Sequence, residues 1–265
     1  YADVLKDAQE LGYAESDPAA DVEGSDAADK IAILSGLAFG GSINRSNIPT
    51  TGINHLEAVD VNYARKLGYG IKLLAISEKD KSPSKTEGSQ PLSIWVEPTL
   101  VPEDNPLAGV NGVNNAILVE GNPIGQVMFF GPGAGSGPTA SAVVADILNI
   151  AGIQSMSEDN IFNLDPLLSA KSWRNCHIAE KKQITKKNYI RLIAKDSPGV
   201  IGEIGTIFGK KKISIESIVQ FDVTDEEAEI VVITHKIQQG QLEEALLEIK
   251  NLSQVKRIAA TMGCL

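Results

Sequence analysis

The 265 residues, 43% apolar and 22% charged, are enough to bury a full core and to form two domains. Thirty-four acidic side chains against 24 basic ones give a formal charge of -10, which argues against nucleic acid or an anionic membrane as partner. With two cysteines and no signal peptide or long apolar run, the expected compartment is the reducing cytoplasm; neither Cys176 nor Cys264 reads as a nucleophile.

In chain order, Val4, Leu5, Ala8 and Leu11 recur at helical spacing and Gly12 follows as a stop, so a first helix is expected to end near Leu11. A polar loop over 15–24 leads to a second helix. Ser25 is its expected cap, Ala27, Ile31, Leu34 and Ala38 form its stripe, and Gly40 and Gly41 end it. A third helix is expected over 55–67. Residues 70–76, 92–97, 116–119 and 126–130 read as strands separated by Gly, Pro and Asn turns, with 79–90 a solvated hairpin loop and 139–151 a further helix.

After a polar connection over 155–187 the pattern changes. Residues 189–194 alternate like a strand; Val200, Ile204, Ile207 and Phe208 make a helical stripe; Ile213, Ile215, Val219 and Phe221 fall on one face of a second strand. A third strand is expected over 230–234, a stripe of Leu242, Ala245, Leu246 and Ile249 marks another helix, and a last strand spans 255–262. The order is βαββαβ, a ferredoxin-like plan. The expected fold class is therefore α/β (α+β): a mixed-sheet domain over 1–154, a linker over 155–187 and a small domain over 188–265. Asp196, Ser197, Pro198, Gly199 and Val200 sit at the strand-to-helix turn of the small domain, with Pro198 placed to start the helix. The unpaired N–H groups and dipole of a helix N-terminus suit a carboxylate.

The larger domain holds fewer chemically pointed residues. Asp26 and Lys30 are four apart, so they share one helical face, which Ile33 and Leu37 continue; Tyr13, Glu15, Asp17 and Asp21 lie just upstream. By pattern alone, such a pair is ordinarily a solvated salt bridge. Gly135-Ser-Gly137-Pro-Thr139-Ala140 imitates a dinucleotide fingerprint, but the next residues, Gln154-Ser-Met-Ser-Glu-Asp, do not continue as a second apolar strand. No group with metal-ligand spacing is read.

The run DSPGVIGEIGTIFGKKKISIESIVQ resembles the ACT domain, which implies side-by-side pairing and a small amino acid bound beside Asp196–Val200. LGYAESDPAADVEGSDAADKIAIL, with IKLLAI and GPGAGSGPTASAVVADI, resembles the catalytic domain of homoserine dehydrogenases. That resemblance implies interconversion of aspartate 4-semialdehyde and L-homoserine with NADP or NAD. It makes Lys30 the proton-transfer lysine, Asp26 its partner acid, and Tyr13, Glu15 and Asp21 holders of the amino-acid substrate. It also implies a cofactor contact at Gly133, Gly135 and Thr139, threonine as effector, and a homo-oligomer. The family places its dinucleotide-binding domain before the matched region, so the expectation is that this chain alone lacks the main cofactor site and turnover. The competing expectation is a non-enzymatic amino-acid sensor whose first domain only scaffolds the second.

Overall fold

The computed structural model describes residues 2–10, 16–79, 91–155, 174–224 and 227–265. Tyr13, Glu15 and residues 80–90 of the hairpin loop expected over 79–90 lie outside these residues, while Lys79 ends a strand. Among them the helices are α1 (Ala2–Glu10), α2 (Ala19–Val22), α3 (Ser25–Phe39), α4 (Ala58–Lys66), α5 (Ser136–Ser155), α6 (Val200–Lys210) and α7 (Gln239–Lys250). The strands are β1 (Gly41–Ser42), β2 (Tyr69–Lys79), β3 (Leu92–Pro102), β4 (Asn114–Gly121), β5 (Gly125–Pro132), β6 (Arg174–Asn175), β7 (Thr185–Lys195), β8 (Ile215–Thr224), β9 (Glu227–Thr234), β10 (Ile237–Gln238) and β11 (Val255–Cys264). No described helix is long and apolar enough to cross a membrane.

The fold is mixed α/β, and one sheet runs through both expected units in the order β2-β3-β11-β7-β9-β8. Along β11, β7, β9 and β8 each strand is antiparallel to its neighbour, which gives the ferredoxin-like order of a βαββαβ chain. β2 and β3 form a long antiparallel pair, and β3 joins β11 in parallel through Thr99–Gly263 and Leu100–Cys264. The Leu265 N–H extends that junction by donating to Leu100 O (3.0 Å). A sequence pattern cannot show this, because the two strands are separated by most of the chain.

Alternation along β7 sorts its side chains between two cores. Ile190, Leu192 and Ala194 face α6 and α7, joined by Val200, Ile204, Phe208, Leu242, Ala245 and Ile249. Tyr189 faces the other way, into a cluster with Val231, Ile233, Ala260 and Met262, and with Tyr63 and Ala64 of α4. The second face of the small domain's sheet is thus covered by a helix of the larger unit. A third cluster packs Ala28 of α3 against Ile48, Leu92, Ile94 and Val96.

Arg191 lies in the middle of the α4-facing side and is fully buried. Its Nε donates to Asp60 Oδ1 (2.7 Å) and its Nη2 to Asp60 Oδ2 (3.1 Å), while Nη2 also reaches Glu57 Oε2 (2.7 Å) and Nη1 reaches Glu229 Oε2 (3.2 Å). Tyr189 adds its hydroxyl to Asp60 Oδ1 (3.3 Å). Asp60 is also fully buried, and its Oδ2 accepts the backbone N–H of Glu57 (3.0 Å), so the acid that pairs Arg191 also fastens the first turn of α4.

Several elements differ in detail from the sequence expectations. The helix expected over 55–67 begins only at Ala58, because Glu57 takes an extended conformation as its cap. α5 begins at Ser136, so Thr139 lies inside its first turn. Phe221 does not share a face with Ile213 and Ile215: a register shift between Ile215 and Ser217 turns the strand, leaving Ile215 and Ile218 against the α6/α7 core and Phe221 stacked on Tyr63 at 4.0 Å. Part of the polar connection is structured as well, since β6 pairs with β1 and Ile178 bridges Leu92.

Removing one partner of a buried charge pair leaves the other charge unpaired in a medium that solvates it poorly. Arg191→Met is expected to lower the unfolding free energy by about 3–5 kcal/mol, with part recovered in Arg191→Met/Asp60→Asn. Urea unfolding checks this, and an unchanged midpoint for the single variant would remove the network's structural role. The hydrogen bond from Arg191 holds the Glu57 carboxyl below the usual carboxylate value. Its stabilising contribution is complete above its unfolded pKa and lost as pH falls through the lower folded value. Stability of Glu57→Gln should therefore fall less steeply than that of the parent below about pH 4.

Candidate active and effector sites

The face of α3 that carries the candidate catalytic pair is set by its two ends. Gly24 (φ 81°) and Gly40 (φ 70°) cap the helix in the left-handed conformation that glycine adopts without penalty. Ser25 is the first helical residue rather than the cap; its hydroxyl donates to Ala20 O (3.2 Å) and ties α3 to α2. With Ala28 turned to the core, Asp26 and Lys30 point outward, and Lys30 Nζ lies 2.6 Å from Asp26 Oδ2. The two side chains are 59% and 42% exposed. An ion pair this wet contributes at most about 1 kcal/mol to stability, so its main effect is to fix where the ammonium stands. Ile33 and Leu37 continue the face, 64% and 50% exposed.

Asp21 is exposed in the first turn of α2, whose cap is Pro18, and Asp17 accepts from the Ala19 N–H (3.0 Å) in the turn just before it. Beside the head of α3 lies a cavity of about 400 Å³, lined by Glu23, Ser25, Arg45, Gly52, Asn54 and His55. Arg45 is held there by Asp29 (2.8 Å) and by Ser25 O (3.3 Å). Lys30, Asp26 and Asp21 are not among its lining residues. The sequence reading did not single out Arg45 or His55; the available signal was the Pro, Gly and Asn content of 49–54, which marks an irregular segment between elements.

That segment is tightly seated. Thr51 N–H donates to Val96 O (2.8 Å) and Ile53 N–H to Val22 O (2.9 Å). Gly52 runs so close to α2 that an added Cβ would stand 2.2 Å from Val22 O and 2.5 Å from Glu23 Cα.

The glycine-rich run after β5 follows an antiparallel hairpin, since β5 pairs with β4. Gly133 donates to Val113 O (3.2 Å), Gly135 has φ +111°, and the Thr139 N–H is engaged by Gly135 O (3.1 Å). In the small domain, Gly199 (φ 95°) caps α6, and Val200 is the first helical residue; Pro198 therefore precedes the cap instead of starting the helix. Asp196, Ser197, Pro198 and Gly199 are exposed, whereas the Val200 side chain belongs to the core. Asp196 Oδ1 accepts from Gln220 Nε2 (3.0 Å), which joins the loop to β8.

A family profile described as homoserine dehydrogenase matches residues 1–148, and one described as ACT domain matches 188–254. Homoserine dehydrogenase of Synechocystis sp. is 49% identical over the whole chain, which spans 60% of that relative; that of Neisseria gonorrhoeae is 40% identical over 97% of the chain and 57% of the relative. Among solved structures, a homoserine dehydrogenase from Thiobacillus denitrificans superposes with a TM-score of 0.89 at 36% identity, covering 100% of this chain and 58% of that one. The chain thus spans about 60% of the length of the curated relatives it matches.

The contact at Gly52 gives a direct test of how firmly the segment holds α2 and α3. Gly52→Ala places a methyl group into backbone, which cannot swing aside, and is expected to cost about 1–3 kcal/mol. A denaturation midpoint equal to that of the parent would show that the segment yields freely.

Proposed function

Because this chain belongs to the homoserine dehydrogenase family, we propose that it is the substrate-binding and regulatory part of an NAD(P)-dependent homoserine dehydrogenase. The reaction interconverts aspartate 4-semialdehyde and L-homoserine in the biosynthesis of threonine, methionine and isoleucine. The single observation that carries this reading is the Lys30–Asp26 pair, set on an open helical face within the region that matches the family. The proposed division is 1–154 for the catalytic part, 155–187 for the connection and 188–265 for the amino-acid sensor, in a cytoplasmic homo-oligomer.

Reduction of an aldehyde puts a proton on oxygen as carbon becomes an alcohol, and a cation beside that oxygen stabilises the developing alkoxide. Lys30 supplies that cation and the proton; Asp26 keeps the amine positioned. In the reverse direction Lys30 takes the proton back. Asp21, with Glu15 and Tyr13, is assigned to the amino-acid end of the substrate, where carboxylates suit an α-ammonium. The nicotinamide dinucleotide, when bound, supplies or accepts the hydride. The turn at Gly135 and the N-terminus of α5, with Thr139 in its first turn, suit a contact with its phosphates; Gly133 is assigned beside them, although the Asn115 side chain fills the space where its Cβ would stand. An antiparallel β4–β5 hairpin before α5 is not a Rossmann unit, which supports placing the main dinucleotide site outside residues 1–265.

Threonine is the proposed effector at Asp196–Val200, its carboxylate at the N–H groups of the α6 N-terminus and its ammonium at Asp196.

In an enzyme with the full length of the relatives, Lys30→Ala should lower kcat by roughly 10²-fold or more with the fold retained. Near-normal turnover would return Lys30–Asp26 to a surface salt bridge. In the same enzyme Asp196→Ala should raise the threonine concentration for half-inhibition by about tenfold, the scale of one lost charge-assisted hydrogen bond. An unshifted inhibition curve would remove the loop from effector binding.

A further inference from the structure

The core takes hold of α3 from Ala27 and Ala28 onward. Ser25 and Asp26 lie ahead of that first apolar contact, and beside them the cavity of about 400 Å³ opens between the helix head and the 50–55 segment. Where side chains do not pack, polar bonds have to set the position of the backbone. Among the described residues that line the cavity, Arg45 alone sends a side-chain hydrogen bond to α3.

Its Nε donates to Asp29 Oδ1 (2.8 Å) and its Nη2 to Ser25 O (3.3 Å). Ser25 and Asp29 are the residues immediately before Asp26 and Lys30, about one helical turn apart, so the two bonds flank both members of the pair. A planar guanidinium bound at two points fixes the rotation of the helix head as well as its distance. The base of Arg45 is itself secured: it opens a short 3-10 turn, Arg45–Asn47, capped by Asn44 and followed by Ile48, a core residue 4% exposed. With side chains 39% and 63% exposed, the Arg45–Asp29 ion pair adds little to stability, so what it contributes is geometry. It also settles which acid Lys30 meets. Asp26 and Asp29 are three apart and thus neighbours on the helix surface. Arg45 engages the second carboxylate, which leaves the Lys30 amine to Asp26 at 2.6 Å.

We propose that Arg45 is a positioning residue for the Lys30–Asp26 pair: it braces the head of α3 across the cavity and keeps Asp29 from competing for the Lys30 amine. This role rests on the assignment of Lys30 as proton donor. Proton transfer needs a donor held within hydrogen-bond reach of the reacting oxygen, and small displacements of such a group cost rate steeply. Loss of the brace therefore slows the chemical step. Substrate binding, assigned to Asp21, Glu15 and Tyr13, is left largely untouched.

The test is steady-state kinetics of aldehyde reduction in an enzyme with the full length of the relatives. Arg45→Met should lower kcat about tenfold while KM for the aldehyde stays within about twofold, the split expected when a group of the transition state is misplaced. Arg45→Lys keeps a cation for Asp29 and should return kcat to within about threefold of the parent. Asp29→Ala releases the brace from its far end and should lower kcat by about threefold, less than Arg45→Met because no stray carboxylate remains. Thermal unfolding establishes that each variant is folded at the assay temperature; should Arg45→Met fail to fold, Asp29→Ala decides, and a parent-like kcat there overturns the proposal. So does a parent-like kcat in folded Arg45→Met, a change confined to KM, or a loss that Arg45→Lys does not relieve. Lys30→Ala, run alongside, separates this role from the assignment beneath it. A large loss in Lys30→Ala with parent-like Arg45→Met removes the positioning role alone, whereas near-normal turnover of Lys30→Ala removes both.

Discussion

A guanidinium with no access to solvent has to find its full complement of acceptors inside the protein, and Arg191 finds them on two different parts of the chain. Asp60 comes from α4 and Glu57 from its cap, Glu229 from the neighbouring strand β9. The bidentate grip on Asp60 fixes both the height of α4 over the sheet and its rotation, because a planar fork tolerates little misalignment. Two buried acids, Asp60 and Glu229, share one buried cation, with Glu57 at the edge held also by Arg257 (3.3 Å). The apolar contacts around the network, such as Tyr63 on Phe221, give area; the network gives the one register in which no charge is stranded.

This arrangement changes what the small domain is. A four-stranded ferredoxin-like sheet has helices on one face, and its other face is commonly free to meet another sheet. Here α4 occupies much of that face and β3 adds to its edge strand β11. The small domain and the larger unit are therefore joined by a continuous sheet, a shared core and a buried ion network. A hinge between them would have to break all three. Communication between the two is better pictured as a shift of packed elements against one another than as rotation about a flexible joint.

The parts of this architecture that the sequence displayed are those encoded by neighbours. The βαββαβ order was readable because Ile190, Leu192 and Ala194 alternate and Val200, Ile204, Ile207 and Phe208 repeat at helical spacing. The Lys30–Asp26 pair was readable because four residues make one helical turn. Gly24 was missed as the α3 cap because Ser25 carries the stronger local signal; the observed cap depends on α2 lying beneath the turn. The Phe221 face was misjudged because a bulge adds one residue to the count, and nothing in the local pattern marks where. Arg191 and Asp60 lie 131 positions apart. Each looks like an ordinary charge in an apolar stretch, and only the fold shows that one answers the other.

The segment assigned to the cofactor raises a different physical question. α5 has no buried residue, and Val143, Val144, Ile147, Leu148, Ile150 and Ile153 are all more than half exposed. On the adjoining β5, Phe129 and Phe130 are 63% and 56% exposed. A helix apolar around its whole circumference is one whose sequence suits burial on every side, and an exposed patch of this kind is not stable as a free surface in water. Gly133, Gly135 and Thr139 stand at the root of that helix, so what they can meet depends on how β5 and α5 are covered. The Lys30–Asp26 pair does not share this dependence. Lys30 and Asp26 are placed by α3, which is anchored to β3 through Ala28 and to α2 through Gly24 and Ser25. The positions of Lys30 and Asp26 are thus fixed within this chain, whereas the setting of Gly133, Gly135 and Thr139 depends on what covers α5.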